Sequence, residues 1–306
     1  MKIIDRFDGV VTKEGPIILA VGCFDGIHKG HQKLIRHSVN QAQNEGGQAW
    51  VLTFDPHPAK ILTPKQVPPL LMSIEYKLKQ LDTLGIHGCL IIPFNRQIAK
   101  LEPETFIEKL YKAIPRLKQV MVGPDWTFGH QARGTPARLK GLGEQHGFEV
   151  SIIETESWKG SPISSTRIRQ AVRKGLMADA TAMLSGPFSI QGEVVEGQKR
   201  GRTLGFPTAN IENQNELQPS PGIYAAFSVI DGIRYNGAAY IPMDSPNNIV
   251  EIYFFDASHD LYKQKIEIFF VEFIRKDQHF PTQETLVEHI RKDVESAKKI
   301  LYFEPE

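Results

Sequence analysis

Ile17-Ile18-Leu19-Ala20-Val21-Gly22-Cys23-Phe24-Asp25-Gly26-Ile27-His28-Lys29-Gly30-His31 passes from five apolar residues through a glycine turn into the start of a helix. A short apolar run ending in glycine reads as a buried strand. Residues 31–43 then read as a helix that stops near Gly46-Gly47. Outward from this stretch the alternation continues. A strand at 49–54 leads into a proline-rich loop at 56–69 and a helix at 74–84, with Ile74, Leu78 and Leu81 on one face and Gly85 as its stop. Strands at 89–92, 120–122 and 149–153 are separated by helices at 103–113 and 135–146. Strands alternating with helices predict a doubly wound parallel sheet covered by helices on both faces.

The pattern changes after about residue 185. Residues 189–195, 223–230, 234–241, 249–255 and 265–273 read as strands, and Asp231-Gly232 between two of them is a two-residue hairpin signal. Five or six antiparallel strands predict a small antiparallel β-barrel. The chain closes with a helix at 283–301, whose apolar stripe is Leu286, Ile290, Val294, Ala297 and Leu301 and whose cap is Thr282. A length of 306 residues suits two domains, and the boundary is placed to give domains 1–184 and 185–306.

In an open parallel sheet, ligands gather at the carboxyl ends of the strands. Gly22 and Gly26 let the backbone turn there, and Gly30 lets a phosphate approach it. His28 and His31, three residues apart, share a face of the first helical turn. Helix amides and two imidazoles together suit the charge of a triphosphate. Two histidines beside a turn are often mere surface residues, but a position directly after a strand and a glycine loop favours the phosphate reading. The stretch resembles the His-x-Gly-His nucleotidyl-transferase superfamily, whose members join an ATP α-phosphate to a nucleophile without a covalent enzyme intermediate.

Three later segments narrow the resemblance: Thr53-Phe54-Asp55-Pro56-His57-Pro58, Val122-Gly123-Pro124-Asp125-Trp126-Thr127-Phe128-Gly129, and Ser164-Ser165-Thr166-Arg167-Ile168-Arg169. The last is expected to open the final helix of this half. Over residues 15–180 the four segments, in order, resemble the FMN adenylyltransferase half of bacterial riboflavin kinase/FAD synthetases. That resemblance implies that His28, His31, Ser164, Ser165 and Arg169 face the ATP phosphates, with Asp55 and Asp125 near the flavin or nucleotide pocket. Relatives often carry Phe-Arg where this chain has Trp126-Thr127, so Thr127 receives no role.

Gly201-Arg202-Thr203-Leu204-Gly205-Phe206-Pro207-Thr208-Ala209-Asn210 is the second informative stretch. Gly201 and Gly205 allow close phosphate approach, and Thr208 and Asn210 offer the hard oxygens that Mg²⁺ prefers. No Walker loop occurs in the chain. In 249–255, alternation puts Val250, Ile252 and Phe254 on one face and Glu251, Tyr253 and Phe255 on the other. The stretch resembles the riboflavin kinase module, as do Pro221-Gly222-Ile223-Tyr224 and Asp260-Leu261-Tyr262. The resemblance implies that Glu251 is the base near the attacking ribityl hydroxyl. One region departs: relatives carry Asn-Ile-Gly followed by Pro-Thr-Phe where this chain has Ala238-Ala239-Tyr240-Ile241-Pro242-Met243-Asp244-Ser245-Pro246, and Lys263 replaces a usual glycine. The altered 238–250 loop puts the flavin side of the kinase in question.

The expected activity is phosphorylation of riboflavin to FMN, then adenylylation of FMN to FAD, with ATP as co-substrate and Mg²⁺ as cofactor. Competing readings are a monofunctional FAD synthetase with a degenerate barrel, an aminoacyl-tRNA synthetase relative, and a non-catalytic flavin sensor. Lys plus Arg number 36 against 35 acidic residues, so no broad positive field draws nucleic acid. Residues 1–10 lack the apolar core of a signal peptide, and no apolar run reaches the roughly 18 residues of a membrane span. Two cysteines, Cys23 and Cys89, make no disulfide framework. The expectation is a cytoplasmic protein whose partners are the small molecules riboflavin, FMN and ATP; nothing in the sequence speaks to oligomeric state.

Overall fold

The computed structural model describes residues 1–6, 15–197, 200–243, 248–255 and 261–302. Asp244-Ser245-Pro246 and Asp260 lie outside the described residues. By its internal contacts the chain divides into Met1–Ser164 and Ser165–Glu306.

The first unit is a six-stranded parallel sheet. Its strands are β1 (Lys2–Ile4), β2 (Ile17–Val21), β3 (Gln48–Asp55), β4 (Gly88–Pro93), β5 (Leu117–Val122) and β6 (Glu149–Ile152), in the order β1-β4-β3-β2-β5-β6. Every residue of β2 is buried, as a central strand covered on both faces requires. Successive side chains take opposite faces. Ile18 and Ala20 join Leu34, Ile35 and Ala42 of α1 (Lys29–Asn44) and Leu81 of α3 (Ile74–Thr83). Ile17, Leu19 and Val21 join Phe106, Ile107 and Leu110 of α5 (Pro103–Ala113) and Leu139 and Leu142 of α6 (Pro136–His146). The sheet is therefore doubly wound. After β2 the chain steps to β3 and β4 on one side, then returns to β5 on the other, so the topological switch point lies between β2 and β5.

Local chemistry sets the helix ends. Ser73 accepts from Tyr76 N at 3.2 Å before α3, and Thr135 accepts from Arg138 N at 3.2 Å before α6, where Pro136 fills the first position. The proline-rich loop contains the short α2 (Pro58–Leu62), and α4 (Arg96–Ala99) follows β4. A small hairpin, β7 (Ser157–Trp158) with β8 (Ser161–Pro162), ends this unit.

The second unit begins with α7 (Ser165–Arg173) and α8 (Met177–Leu184). Helix α7 is thus not the final helix before the barrel: Gly175 turns the chain with φ +71° into α8. The barrel strands are β9 (Phe188–Val195), β10 (Ala209–Asn213), β11 (Gly222–Ile230), β12 (Ile233–Ile241), β13 (Ile249–Phe254) and β14 (Lys265–Arg275), with the short helix α9 (Arg200–Thr203) between β9 and β10. They close antiparallel in the order β10-β13-β12-β11-β14-β9. Asp231 and Gly232, both at positive φ, join Ile230 to its partner Ile233. Ala238 to Ile241, where the departure from the relatives' pattern was placed, are the last residues of β12, within the strand expected at 234–241, and pair with β11. The α10 helix (Gln283–Tyr302) begins in a reciprocal cap, with Thr285 N donating to Thr282 Oγ1 and Thr282 N to Thr285 Oγ1, both at 3.3 Å. Its Ala297 and Leu301 pack on Ala225 and Ala238, where small side chains let the helix lie close to the strands.

Candidate active sites

At the end of β2 the backbone is held by buried groups. The Cys23 carbonyl accepts from Lys77 Nζ at 2.8 Å and from Thr53 Oγ1 at 3.1 Å. Buried Asp25 accepts from Leu71 N through both oxygens, at 2.9 and 3.2 Å. Phe24, Gly26 and Ile27 all have positive φ, a conformation that side-chain-bearing residues adopt only when their surroundings impose it. This turn delivers His28 to the N-cap of α1, where its Nδ1 accepts from His31 N at 3.3 Å. The acceptor role fixes the tautomer, leaving the proton on Nε2. The two imidazoles stack with centroids 3.6 Å apart and planes 16° apart, and Phe24 meets His31 edge-on at 5.2 Å. Gly30 permits the stack, because a Cβ there would sit 3.3 Å from the His28 ring.

Burial lowers His28 to about 4. His31 falls well below its ordinary value, first through burial and then through the charges of His28 and Lys77. Both rings are accordingly neutral at pH 7 and serve as N–H donors. His31 Nδ1 is buried and has no hydrogen-bond partner among the described residues. Lys77 is itself lowered by burial, against the opposing pull of Asp25 and other neighbours.

The other expected residues of this half are placed as follows. Gly22 follows β2, Asp55 ends β3, and Asp125 lies in the turn after β5; both carboxylates are exposed. Beside Asp125, Trp126 stacks on Phe128 with centroids 4.6 Å apart. Loops after β2 and β5 flank the switch point, so the histidines and Asp125 sit at strand ends where such sheets bind ligands. Ser164 is the last residue of the first unit, whereas Ser165 and buried Arg169 lie on α7.

In the barrel, a cleft of about 630 Å³ opens between the strands and α10. Its lining includes Gly201, Thr208, Glu251 and Tyr253 on one side and residues 277–283, Leu286, Ile290 and Val294 on the other. Register brings the expected groups together: Asn210 pairs with Glu251 across β10 and β13, and Thr208 Oγ1 donates to Glu251 Oε2 at 3.2 Å. Val250, Ile252 and Phe254 point into the barrel, while Glu251 and Tyr253 take the opposite face, as the alternation predicts. At Gly197 a Cβ would lie 2.2 Å from Asn210 Nδ2, so a side chain there would displace the Asn210 amide. Gly201 accepts from Phe206 N at 2.8 Å through its carbonyl, folding the glycine stretch back after α9, and Gly205 at φ +86° completes that turn. Thr208 and Glu251 thus bring a hydroxyl and a carboxylate together in the cleft, with Asn210 on the neighbouring strand position, and hard oxygens of this kind suit Mg²⁺.

Several residues in these sites escaped the sequence reading. Lys77 lies on the buried face of α3, where apolar periodicity pointed to Leu78. Leu286 and Ile290 belong to the stripe of α10 yet remain partly exposed, because that end of the helix faces the cleft. Arg275 grips buried Asp293 with two bonds of 2.8 and 2.7 Å, fixing the start of the β14–α10 connection to the helix. In that connection, Asp277 accepts from Tyr240 at 3.0 Å. No local pattern announces these pairs, since each joins residues distant in sequence.

With this geometry in place, similarity to known proteins decides the family. A FAD synthetase family model matches residues 11–167, and a riboflavin kinase model matches residues 184–301. The bifunctional riboflavin kinase/FMN adenylyltransferase of Listeria monocytogenes is 33% identical over 289 residues, covering 92% of this chain and 91% of its own. This chain belongs to the bifunctional riboflavin kinase/FMN adenylyltransferase family. The Bacillus subtilis member is likewise 33% identical, over 96% of this chain and 95% of its own. A solved structure described as a macrolide-efflux protein from Streptococcus pneumoniae superposes with a TM-score of 0.88 at 28% identity, covering 99% of each chain. Among the described residues, this family member has no helix long and apolar enough to cross a membrane.

Proposed function

We propose that this enzyme phosphorylates riboflavin to FMN in the barrel cleft and adenylylates FMN to FAD at the His28-x-x-His31 turn. Both activities follow from the two family models and the full-length relatives. The observation that carries the residue assignment is the hydrogen bond that joins Thr208 to Glu251 in the cleft, with Asn210 paired to Glu251 across the strands. It favours a working kinase over a degenerate one, since the altered segment leaves these three in place. We place the enzyme in the cytoplasm.

In the kinase step, Glu251 takes the proton from the terminal ribityl hydroxyl as that oxygen attacks the γ-phosphorus of ATP, and ADP leaves. Thr208 and Asn210 would hold Mg²⁺ through hard oxygens, and the ion would neutralise phosphate charge. Gly201 and Gly205 give the phosphates access to the backbone. In the second step, a phosphate oxygen of FMN attacks the α-phosphorus of a second ATP, and pyrophosphate leaves. His28 and His31 donate hydrogen bonds to phosphate oxygens beside the N-terminal amides of α1. Gly22 and Gly30 leave room for them, Ser164, Ser165 and Arg169 hold the departing pyrophosphate, and Asp55 and Asp125 line the flavin or nucleotide pocket.

Chromatography of flavins after incubation with ATP and Mg²⁺, begun in parallel from riboflavin and from FMN, tests the proposal. The wild type makes FAD from both. His31→Ala stops at FMN, and Glu251→Ala makes FAD only from supplied FMN. Loss of both activities in either folded variant overturns the two-site assignment.

A further inference from the structure

Across the outer face of the barrel, three side chains stand in a row on adjacent strands. Asn210 of β10 pairs with Glu251 of β13, and Glu251 pairs on its other side with Tyr240 of β12. Directly opposed residues on neighbouring strands lie within side-chain contact. Tyr240 is therefore the immediate neighbour of Glu251, the proposed kinase base. Its phenol donates at 3.0 Å to Asp277 Oδ2, which also accepts from Met243 N at 3.2 Å. Asp277 belongs to the connection between β14 and α10, the opposite wall of the cleft. That connection is fixed at its start by the two bonds from Arg275 to Asp293 of α10. Burial, with the carboxylates of Asp277 and Glu251, raises the Tyr240 pKa, so the phenol stays protonated and keeps donating.

We propose that Tyr240 and Asp277 form a positioning pair for riboflavin phosphorylation, a tie that sets the separation between the wall carrying Glu251 and the wall formed by the β14–α10 connection. The inference rests on the kinase reading of the cleft. Riboflavin must enter between these walls with its ribityl hydroxyl at Glu251, so a fixed separation lowers the cost of ordering the site around it. ATP phosphates meet the Thr208 end of the cleft and depend on the tie less.

The test is steady-state kinetics of riboflavin phosphorylation by full-length wild type, Tyr240→Phe, Asp277→Asn and the double variant. FAD formation from FMN is measured in the same preparations. A hydrogen bond to a charged acceptor is worth enough that its loss raises the riboflavin KM about tenfold or more. kcat, the KM for ATP and FAD formation from FMN stay within about twofold of wild type. Asp277→Asn, which keeps a neutral acceptor, gives a smaller rise. The double variant is no worse than Tyr240→Phe, because one interaction is lost only once. A riboflavin KM unchanged in Tyr240→Phe, or independent effects that multiply in the double variant, overturns the positioning pair. A wild type unable to phosphorylate riboflavin overturns the kinase reading itself, a separate outcome.

Discussion

Acidification to pH 5 tests whether His28 is held as a neutral imidazole at the start of α1. Unfolded, the ring titrates near 6.5; folded, burial lowers it to about 4. Between those values the unfolded chain binds the proton and the folded protein does not. Stability therefore rises with pH across the interval and is lost as pH falls from 6.5 toward 4. At about 1.36 kcal/mol per pH unit the whole interval is worth about 3 kcal/mol, of which about 2 kcal/mol is lost by pH 5. His31 is shifted in the same direction, partly by the charge on His28, so the two losses reinforce each other. The three tryptophans, Trp50, Trp126 and Trp158, all lie in the first unit, so their fluorescence during urea unfolding follows that unit alone. Carboxylates titrate over the same range, and the informative quantity is the difference between wild type and His28→Gln, whose amide does not titrate. The variant should lose about 2 kcal/mol less than wild type between pH 7 and pH 5. Equal losses in the two proteins would refute the reasoning.

Two further outcomes follow from the geometry. Lys77→Met removes a charged bond to the Cys23 carbonyl worth about 1.5–3 kcal/mol but also relieves the burial of a charge, so stability followed by tryptophan fluorescence changes by no more than about 1 kcal/mol. FAD formation should nevertheless fall, and its acid limb should move to higher pH, because the Lys77 charge that depresses His31 is gone; FMN formation is the control. Gly197→Ala places a Cβ 2.2 Å from the Asn210 amide, so the side chain or the strand must shift, and riboflavin phosphorylation should drop at least tenfold while FAD formation from FMN persists.

Elements with strong local signals stood out in the sequence. The helix over Pro103–Ala113 coincides with its expected span because Pro103 marks its first turn and Phe106, Ile107 and Leu110 form a single stripe. Strand β1 is three residues long and gains its place only by pairing with β4, so Lys2-Ile3-Ile4 shows no period of its own. Strand β10 was hidden because Ala209–Asn213 follows directly on a glycine turn and alternates only weakly. In the first site, His28 and His31 were visible as a spaced pair, but Lys77 reaches the Cys23 carbonyl at the head of their turn from a helix 54 residues on. In the second, Thr208, Asn210 and Glu251 were visible as residue types. Their meeting depended on the β10–β13 register, which no local pattern encodes.

That register has a further consequence. Asn210 and Glu251 are separated by the hydrogen-bonded spacing of two neighbouring strands, a length the backbone dictates and the connecting segments do not. Sequence can drift in the connection between β12 and β13 while the ladder keeps Asn210 and Glu251 in step. A single-residue deletion inside β13, by contrast, would turn Glu251 into the barrel interior. The Asn210–Glu251 pairing is thus insulated from change in the connection between β12 and β13 and exposed to it within the strands.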